Sequence, residues 1–133
     1  MAGQRVRDDG VAEPVRRGSV QAERDVNGRY RWSLKAPNGR IVAVSASVYE
    51  TPEQARQVFE GLRGAAPGLV VRITHVRDGI GWIWVVPGPR GVPDARSHRT
   101  YERYATCQNA FRRFVALLER SEGVEISVPR DGF

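Results

Sequence analysis

The chain has 133 residues, 41% of them hydrophobic, and a formal net charge of +6 from 21 Lys or Arg against 15 Asp or Glu. That length suits one domain with a real core and no need of staples. The lone Cys107 excludes an internal disulfide and any paired-cysteine metal or redox motif, and no segment approaches the ~20 apolar residues that span a bilayer. A pI near 10.4 admits a polyanionic partner. The charge is nevertheless spread evenly: residues 19–74 and residues 75–122 each carry eight positive and five negative side chains. All the basic residues but Lys35 are arginines, a skew that codon usage would also produce.

Residues 1–18 hold Arg5, Arg7, Asp8, Asp9, Glu13, Arg16 and Arg17 without an apolar run. They read as a disordered tail rather than a signal peptide or membrane anchor. From Val20 the pattern changes to strands. Val20–Asp25 leads through Val26-Asn27-Gly28 into Arg29–Ala36, and Pro37-Asn38-Gly39 turns the chain into Arg40–Ser47. Asn-Gly is a strong hairpin signal because both residues tolerate positive φ. Thr51-Pro52-Glu53-Gln54 then opens a helix, with Thr51 as N-cap, Pro52 at the first helical position and Gln54 as capping-box partner. Ala55, Val58, Phe59 and Leu62 give it one apolar stripe.

The same order then returns. Strands are expected at Val71–Val76, Gly81–Val86 and Asp94–Arg99, and a helix at Tyr104–Glu119 with the stripe Cys107, Ala110, Phe111, Phe114 and Leu118. A shift of 52 positions lays residues 28–62 on 80–114 with eight identities: Trp32/Trp84, Pro37/Pro89, Gly39/Gly91, Ala43/Ala95, Ser45/Ser97, Tyr49/Tyr101, Glu50/Glu102 and Phe59/Phe111. In the first strand the offset is 51, which implies a hairpin loop one residue longer in the second copy. Val124–Val128 alternates weakly and closes the chain as an extra strand. A supersecondary unit used twice buries its apolar face against its twin.

Alternation assigns faces. Tyr30, Trp32 and Leu34 point inward; Arg29, Arg31, Ser33 and Lys35 point outward. A three-residue first loop sets Ala22 beside Trp32 and Val20 beside Leu34, with Glu23 opposite Arg31 and Asp25 opposite Arg29, so that charges match across strands. In the second copy Trp82, Trp84 and Val86 go inward with Val71 and Ile73, while Ile83, Val85 and Val76 form an apolar group on the outer face beside Arg72 and Arg96. An apolar patch rimmed by charge is the usual mark of a protein contact.

Chemistry-bearing sets are few. Asp94, Arg96 and His98 share a strand face, but Ser97 faces away from them, so no serine–histidine pair forms along that strand. His75 occupies the hairpin-end position of Arg24 in the other copy, and two distant histidines with one packed cysteine make no metal site. Ser45 with Tyr49-Glu50, and Ser97 with Tyr101-Glu102, are retained in both copies. Their structural reading is a small residue under each tryptophan and a tyrosine hydroxyl on backbone; their functional reading is a pair of related pockets. Gly79-Ile80-Gly81 and Gly88-Pro89-Arg90-Gly91 lack the spacing of a phosphate-binding loop and read as turns.

Gly28-Arg29-Tyr30-Arg31-Trp32-Ser33-Leu34-Lys35-Ala36, followed by Asn38-Gly39-Arg40-Ile41, Ser45 and Tyr49, resembles the YegP-like family of small proteins with tandem strand–strand–strand–helix repeats. The resemblance spans residues 19–64 and is fainter over residues 71–120. It implies a fold and no established activity, cofactor or catalytic residue.

The expectation is therefore an α+β domain of two tandem βββα repeats with pseudo-twofold symmetry: an antiparallel sheet, two helices packed on it and an extra C-terminal strand. The tail covers residues 1–18 and the domain 19–133, as repeat one 19–70, repeat two 71–122 and a closing segment 123–133. Whether six strands make one sheet or two stays open. The expected function is a non-enzymatic interaction module, as a homodimer or with another protein, through Ile83, Val85 and Arg96. The alternative is nucleic-acid binding through Arg29, Arg31 and Lys35. No cofactor, metal or membrane is expected, and the cytoplasm is the expected location.

Overall fold

A computed structural model describes residues 18–77, 79–89 and 93–121, and the backbone of 126–127. Three strands, β1 (Ser19–Arg24), β2 (Tyr30–Lys35) and β3 (Ile41–Ser45), precede helix α1 (Pro52–Ala65). Three more, β4 (Arg72–His75), β5 (Trp82–Val86) and β6 (Ala95–Ser97), precede helix α2 (Tyr104–Arg120), and β7 (Ile126–Ser127) follows. All seven strands join one sheet in the order β4-β5-β6-β3-β2-β1-β7. Each pairing among β1–β6 is antiparallel; β7 lies parallel to β1. One sheet, not two, is the answer to the question alternation left open, because β3 pairs directly with β6.

The tail expected over residues 1–18 falls outside the described residues except for Gly18, which is buried and belongs with the fold. A Cβ there would meet the Lys35 carbonyl oxygen at 2.5 Å and Leu117 at 3.1 Å. The Arg90-Gly91 part of the second turn and the chain beyond Ser127 likewise lie outside the described residues.

The hairpins follow their turn residues. Gly28 and Gly39 take φ of 77° and 86°, the left-handed region that glycine enters without a Cβ clash. Asp25 accepts at Oδ1 from the Asn27 and Arg29 N–H groups, each at 2.9 Å, fixing the first loop. The resulting register is the expected one: Val20 opposite Leu34, Ala22 opposite Trp32, Glu23 opposite Arg31. In the second hairpin Ile73 lies opposite Trp84 and Val76 donates to the Gly81 carbonyl, which leaves residues 77–80 as a loop one residue longer than residues 26–28.

The first helix starts at Thr51, whose hydroxyl accepts from the Gln54 N–H at 3.1 Å. Gln54 Oε1 accepts from the Glu50 N–H at 2.9 Å, one residue before the N-cap, so the reciprocal bond of the capping box is displaced by one position. The second helix has Arg103 at the same place and no side-chain cap. Both helices pack on the same sheet face, α1 against β1 and β2, α2 against β3, β4 and β5. Trp32, Trp84, Phe59 and Phe114 have 0% exposure there. Trp32 meets Phe59 edge-on at 5.4 Å between centroids, and Trp84 meets Phe111 at 5.3 Å and stacks on Phe114 at 4.6 Å. Burying side chains of this size supplies roughly 1.5–3 kcal/mol each. Cys107 is buried and unpaired, and burial pushes its thiol up, away from the reactive thiolate.

Candidate functional site

Among the described residues both helices lie on one face of the sheet, and the opposite face, although packed at its middle where Ser33 and Val44 are 1% and 7% exposed, carries the half-exposed Ile83, Val85 and Arg96. Cross-strand register places its residues in a row. Arg72 lies opposite Val85, Val85 opposite Arg96, Arg96 opposite Val44, Val44 opposite Ser33, and Ser33 opposite Gln21. Ile83 sits opposite Thr74, two residues from Val85 on the same face. Ile83, Val85 and Arg96, separated by up to 13 positions in sequence, are thus brought together. Val44 completes the group. It is 7% exposed and lies outside the helix-side core cluster, so it fills the middle of the opposite face. Sequence reasoning missed it because its neighbour Arg96 comes from the other half of the chain.

Among the described residues the cations on this face form no ion pair. The ion pairs among the described residues are Arg29 with Glu50 at 3.7 Å, Arg56 with Glu53, and Arg63 with Glu60 at 2.6 Å. None includes Arg31, Lys35, Arg72 or Arg96. Glu23 lies across from Arg31 in the ladder without an ion pair, and Asp25 is committed to its turn, so the expected neutralisation of the Arg29–Lys35 strip does not form. Arg29 pairs instead with Glu50, its cross-strand neighbour beside the Tyr30–Tyr49 bridge. Nor is the strip wholly solvated: Ser33 is 1% exposed, and both its hydroxyl and Arg31 Nε are buried without a hydrogen-bond partner. A buried polar atom without a partner costs about 1–3 kcal/mol, and a ligand that supplies one recovers it. Arg96 lies along its strand, Nη1 donating to the Ser97 carbonyl at 3.1 Å.

The repeated serines have a structural task. Beyond Val44 strand β3 leaves β2 and returns only at the Tyr30–Tyr49 bridge, so the Trp32 N–H would face no carbonyl. Ser45 Oγ accepts that N–H at 3.2 Å and donates to the Ser47 carbonyl at 2.9 Å. Ser97 Oγ accepts from the Trp84 N–H at 3.4 Å, beside the matching Trp82–Tyr101 bridge. Tyr49 departs from expectation. Its backbone pairs with Tyr30, but its buried hydroxyl has no partner. Burial first, and the Asp94 carboxylate second, push this phenol up to about 12. Asp94 itself is held above the usual carboxylate range by burial. Tyr101, Glu102, Arg99, Arg103 and Thr106 line a depression of about 300 Å³, whereas Ser97 lies fully buried beneath its tryptophan. The serine, tyrosine and glutamate therefore do not converge on one open pocket.

Strand β6 ends at Ser97, shorter than the expected Asp94–Arg99, so His98 is exposed beyond it. Ser97 Oγ, engaged by the Trp84 N–H and fully buried, does not serve that imidazole. His75 packs on Trp82 at 3.7 Å between centroids with the rings tilted by 46°, and Trp82 meets Tyr104 edge-on at 5.1 Å. Among the described residues no group of three His, Cys, Asp or Glu side chains could hold a metal ion. No helix among them is long and apolar enough to cross a membrane.

Residues 25–71 match a family described as a domain of unknown function, DUF1508. The structure is similar to the solution NMR structure of yegP from E. coli, a protein of unknown function, with TM-score 0.70 and 14% identity over 90% of this chain and 100% of that one. It is also similar to the solution NMR structure of a UPF0339 protein from Shewanella oneidensis, with TM-score 0.66 and 16% identity over 84% of this chain and 90% of that one. No curated protein sequence matches. At these identities the two structures establish the shared α+β fold. Residues 28–49, which carry the YegP-like resemblance, lie within the matched residues 25–71.

Proposed function

We propose that this YegP-like protein is a non-enzymatic binding module that docks an acidic protein surface on the helix-free face of its sheet. The observation that carries this reading is the row Arg72–Val85–Arg96–Val44, in which apolar side chains alternate with arginines that form no ion pair among the described residues. Val85 and Ile83, packed beside the buried Val44, supply the apolar centre and Arg31, Lys35, Arg72 and Arg96 the charged surround, the usual division of a protein interface. The same charges argue against self-docking through this face, since an isologous contact would set arginines against arginines. We also read the chain as a duplicated βββα unit with pseudo-twofold symmetry. The β3–β6 register supports this, because Ala43 lies opposite Ser97 and Ser45 opposite Ala95, pairs that the 52-residue shift exchanges.

The test is affinity capture with wild type, with Val85→Asp combined with Arg96→Glu, and with the helix-face control Arg112→Glu. The expected outcome is a protein retained by wild type and control, released by salt, and lost with the double variant. Identical retention by all three overturns the reading.

Nucleic-acid binding is the second reading, favoured by Arg31, Lys35, Arg72 and Arg96, which form no ion pair among the described residues. It is the weaker one because Trp32 and Trp84 are buried on the opposite face, where no base can stack on them. It requires affinity that falls by roughly one log unit per log unit of salt for each phosphate contacted. Loss of binding in Arg31→Glu/Lys35→Glu would favour it, and indifference to those changes removes it.

A further inference from the structure

The two edges of the sheet differ. Strand β1 is covered by β7, whereas β4 ends the sheet with no strand beyond it among the described residues. Its unpaired backbone groups can be identified. Val76 donates to the Gly81 carbonyl at 3.1 Å, and in an antiparallel ladder hydrogen-bonded pairs alternate with non-bonded ones. Arg72 and Thr74 therefore direct their N–H and C=O groups toward β5, while Ile73 and His75 direct theirs outward. A strand edge of this kind is a template for a further strand.

We propose that the occupant is a second copy of the chain, with β4 pairing antiparallel to β4 of its twin about a twofold axis through Ile73. This contact is independent of the sheet-face reading. The sequence Val70-Val71-Arg72-Ile73-Thr74-His75-Val76 is self-complementary in that register. Ile73 meets Ile73 of the second copy, Arg72 meets Thr74, Val71 meets His75, and Val70 meets Val76. Like charges never face each other, and Val70, 71% exposed in the single chain, gains an apolar neighbour. The outward groups of Ile73 form the central hydrogen-bonded pair. Shifting the centre to Arg72 would place Arg72 against its own copy. Because the axis is normal to the sheet, the helices of both copies stay on one side, and the two basic faces join into one surface. An edge contact buries less than the ~1,200–2,000 Å² of a standard interface, so the dimer is weak and concentration-dependent.

Sedimentation velocity of the full chain over a concentration series, up to about 1 mM, reads the equilibrium. Wild type is expected to shift from monomer to dimer. Thr74→Arg sets two new arginines against Arg72 of the other copy and is expected to weaken association at least tenfold while leaving the far-UV circular dichroism unchanged. Adding Arg72→Glu to Thr74→Arg restores an opposite-charge pair and with it the dimer. A wild type that stays monomeric throughout, whether alone or because it pairs only with another chain, overturns the proposal. So does association indifferent to Thr74→Arg, or a double variant that fails to recover.

Discussion

The two halves of the chain, residues 19–65 and 72–120, have the same order of three strands and a helix, and they are alike on one face of the sheet and different on the other. On the helix side they agree: Trp32 with Phe59 and Trp84 with Phe111 hold nearly the same edge-on geometry, at 5.4 and 5.3 Å. On the other side Arg31 and Ser33 stand where the second half has Ile83 and Val85. Packing constrains the inner positions tightly because a close-packed core responds to single methylene changes, whereas Ile83 and Val85 on the outer face are only half-buried. The second half also builds the larger aromatic cluster, since Phe114 stacks on Trp84 and α2 has 17 residues against 14 in α1.

The largest test of that comparison removes each tryptophan. Trp84→Ala and Trp32→Ala are each expected to cost about 3–5 kcal/mol in urea unfolding, with Trp84 the more costly because it loses two ring neighbours rather than one. Equal losses would mean that the stacked Phe114 adds nothing.

Next comes Gly81, with φ of 107° and a position where a Cβ would collide with Thr100 Cγ2. The corresponding residue of the first half is Arg29, which needs no such freedom because its loop is one residue shorter. Gly81→Ala should destabilise by about 1–3 kcal/mol, whereas Arg29→Ala should shift the unfolding midpoint only slightly.

The serines come third. Ser45→Ala leaves the Trp32 N–H unpaired in the interior and should cost about 1–3 kcal/mol. Ser97→Ala should cost less, since its bond to Trp84 is longer at 3.4 Å and it lacks the second bond that Ser45 makes to Ser47. Thermal unfolding of the two variants side by side decides the order.

The smallest effect is in alkali. Tyr49 is raised from 10.0 to about 12 in the folded chain. The folded state therefore holds a proton that the unfolded state releases. The associated stability is fully present below pH 10 and is lost as pH climbs through about 12. Tyr49→Phe should flatten this alkaline loss and be neutral or stabilising at pH 7, because it removes a buried hydroxyl without a partner. Tyr101 is raised by burial as well, but Arg99 opposes the shift, so Tyr101→Phe should change the alkaline limb less.

Much of this was legible in the sequence for local reasons. Asn27-Gly28 and Asn38-Gly39 fix their turns, loop length fixes the Ala22–Trp32 register, and Thr51-Pro52 starts a helix wherever it stands. Alternation likewise put Ile83 and Val85 on one face and the tryptophans on the other. Side chains whose fate depends on distant partners were not legible. Arg29 goes to Glu50 rather than to Asp25, and the Tyr49 hydroxyl finds no backbone acceptor beside Asp94.

The sequence alone determined the elements, their faces and the pairing within each half, because period, turn chemistry and capping act over a few residues. Only the tertiary structure decided that β3 meets β6, since that pairing joins strands about 50 residues apart and no local preference encodes it. From that single junction follow one sheet instead of two, the placement of Val44 beside Arg96, and a sheet that among the described residues begins at β4.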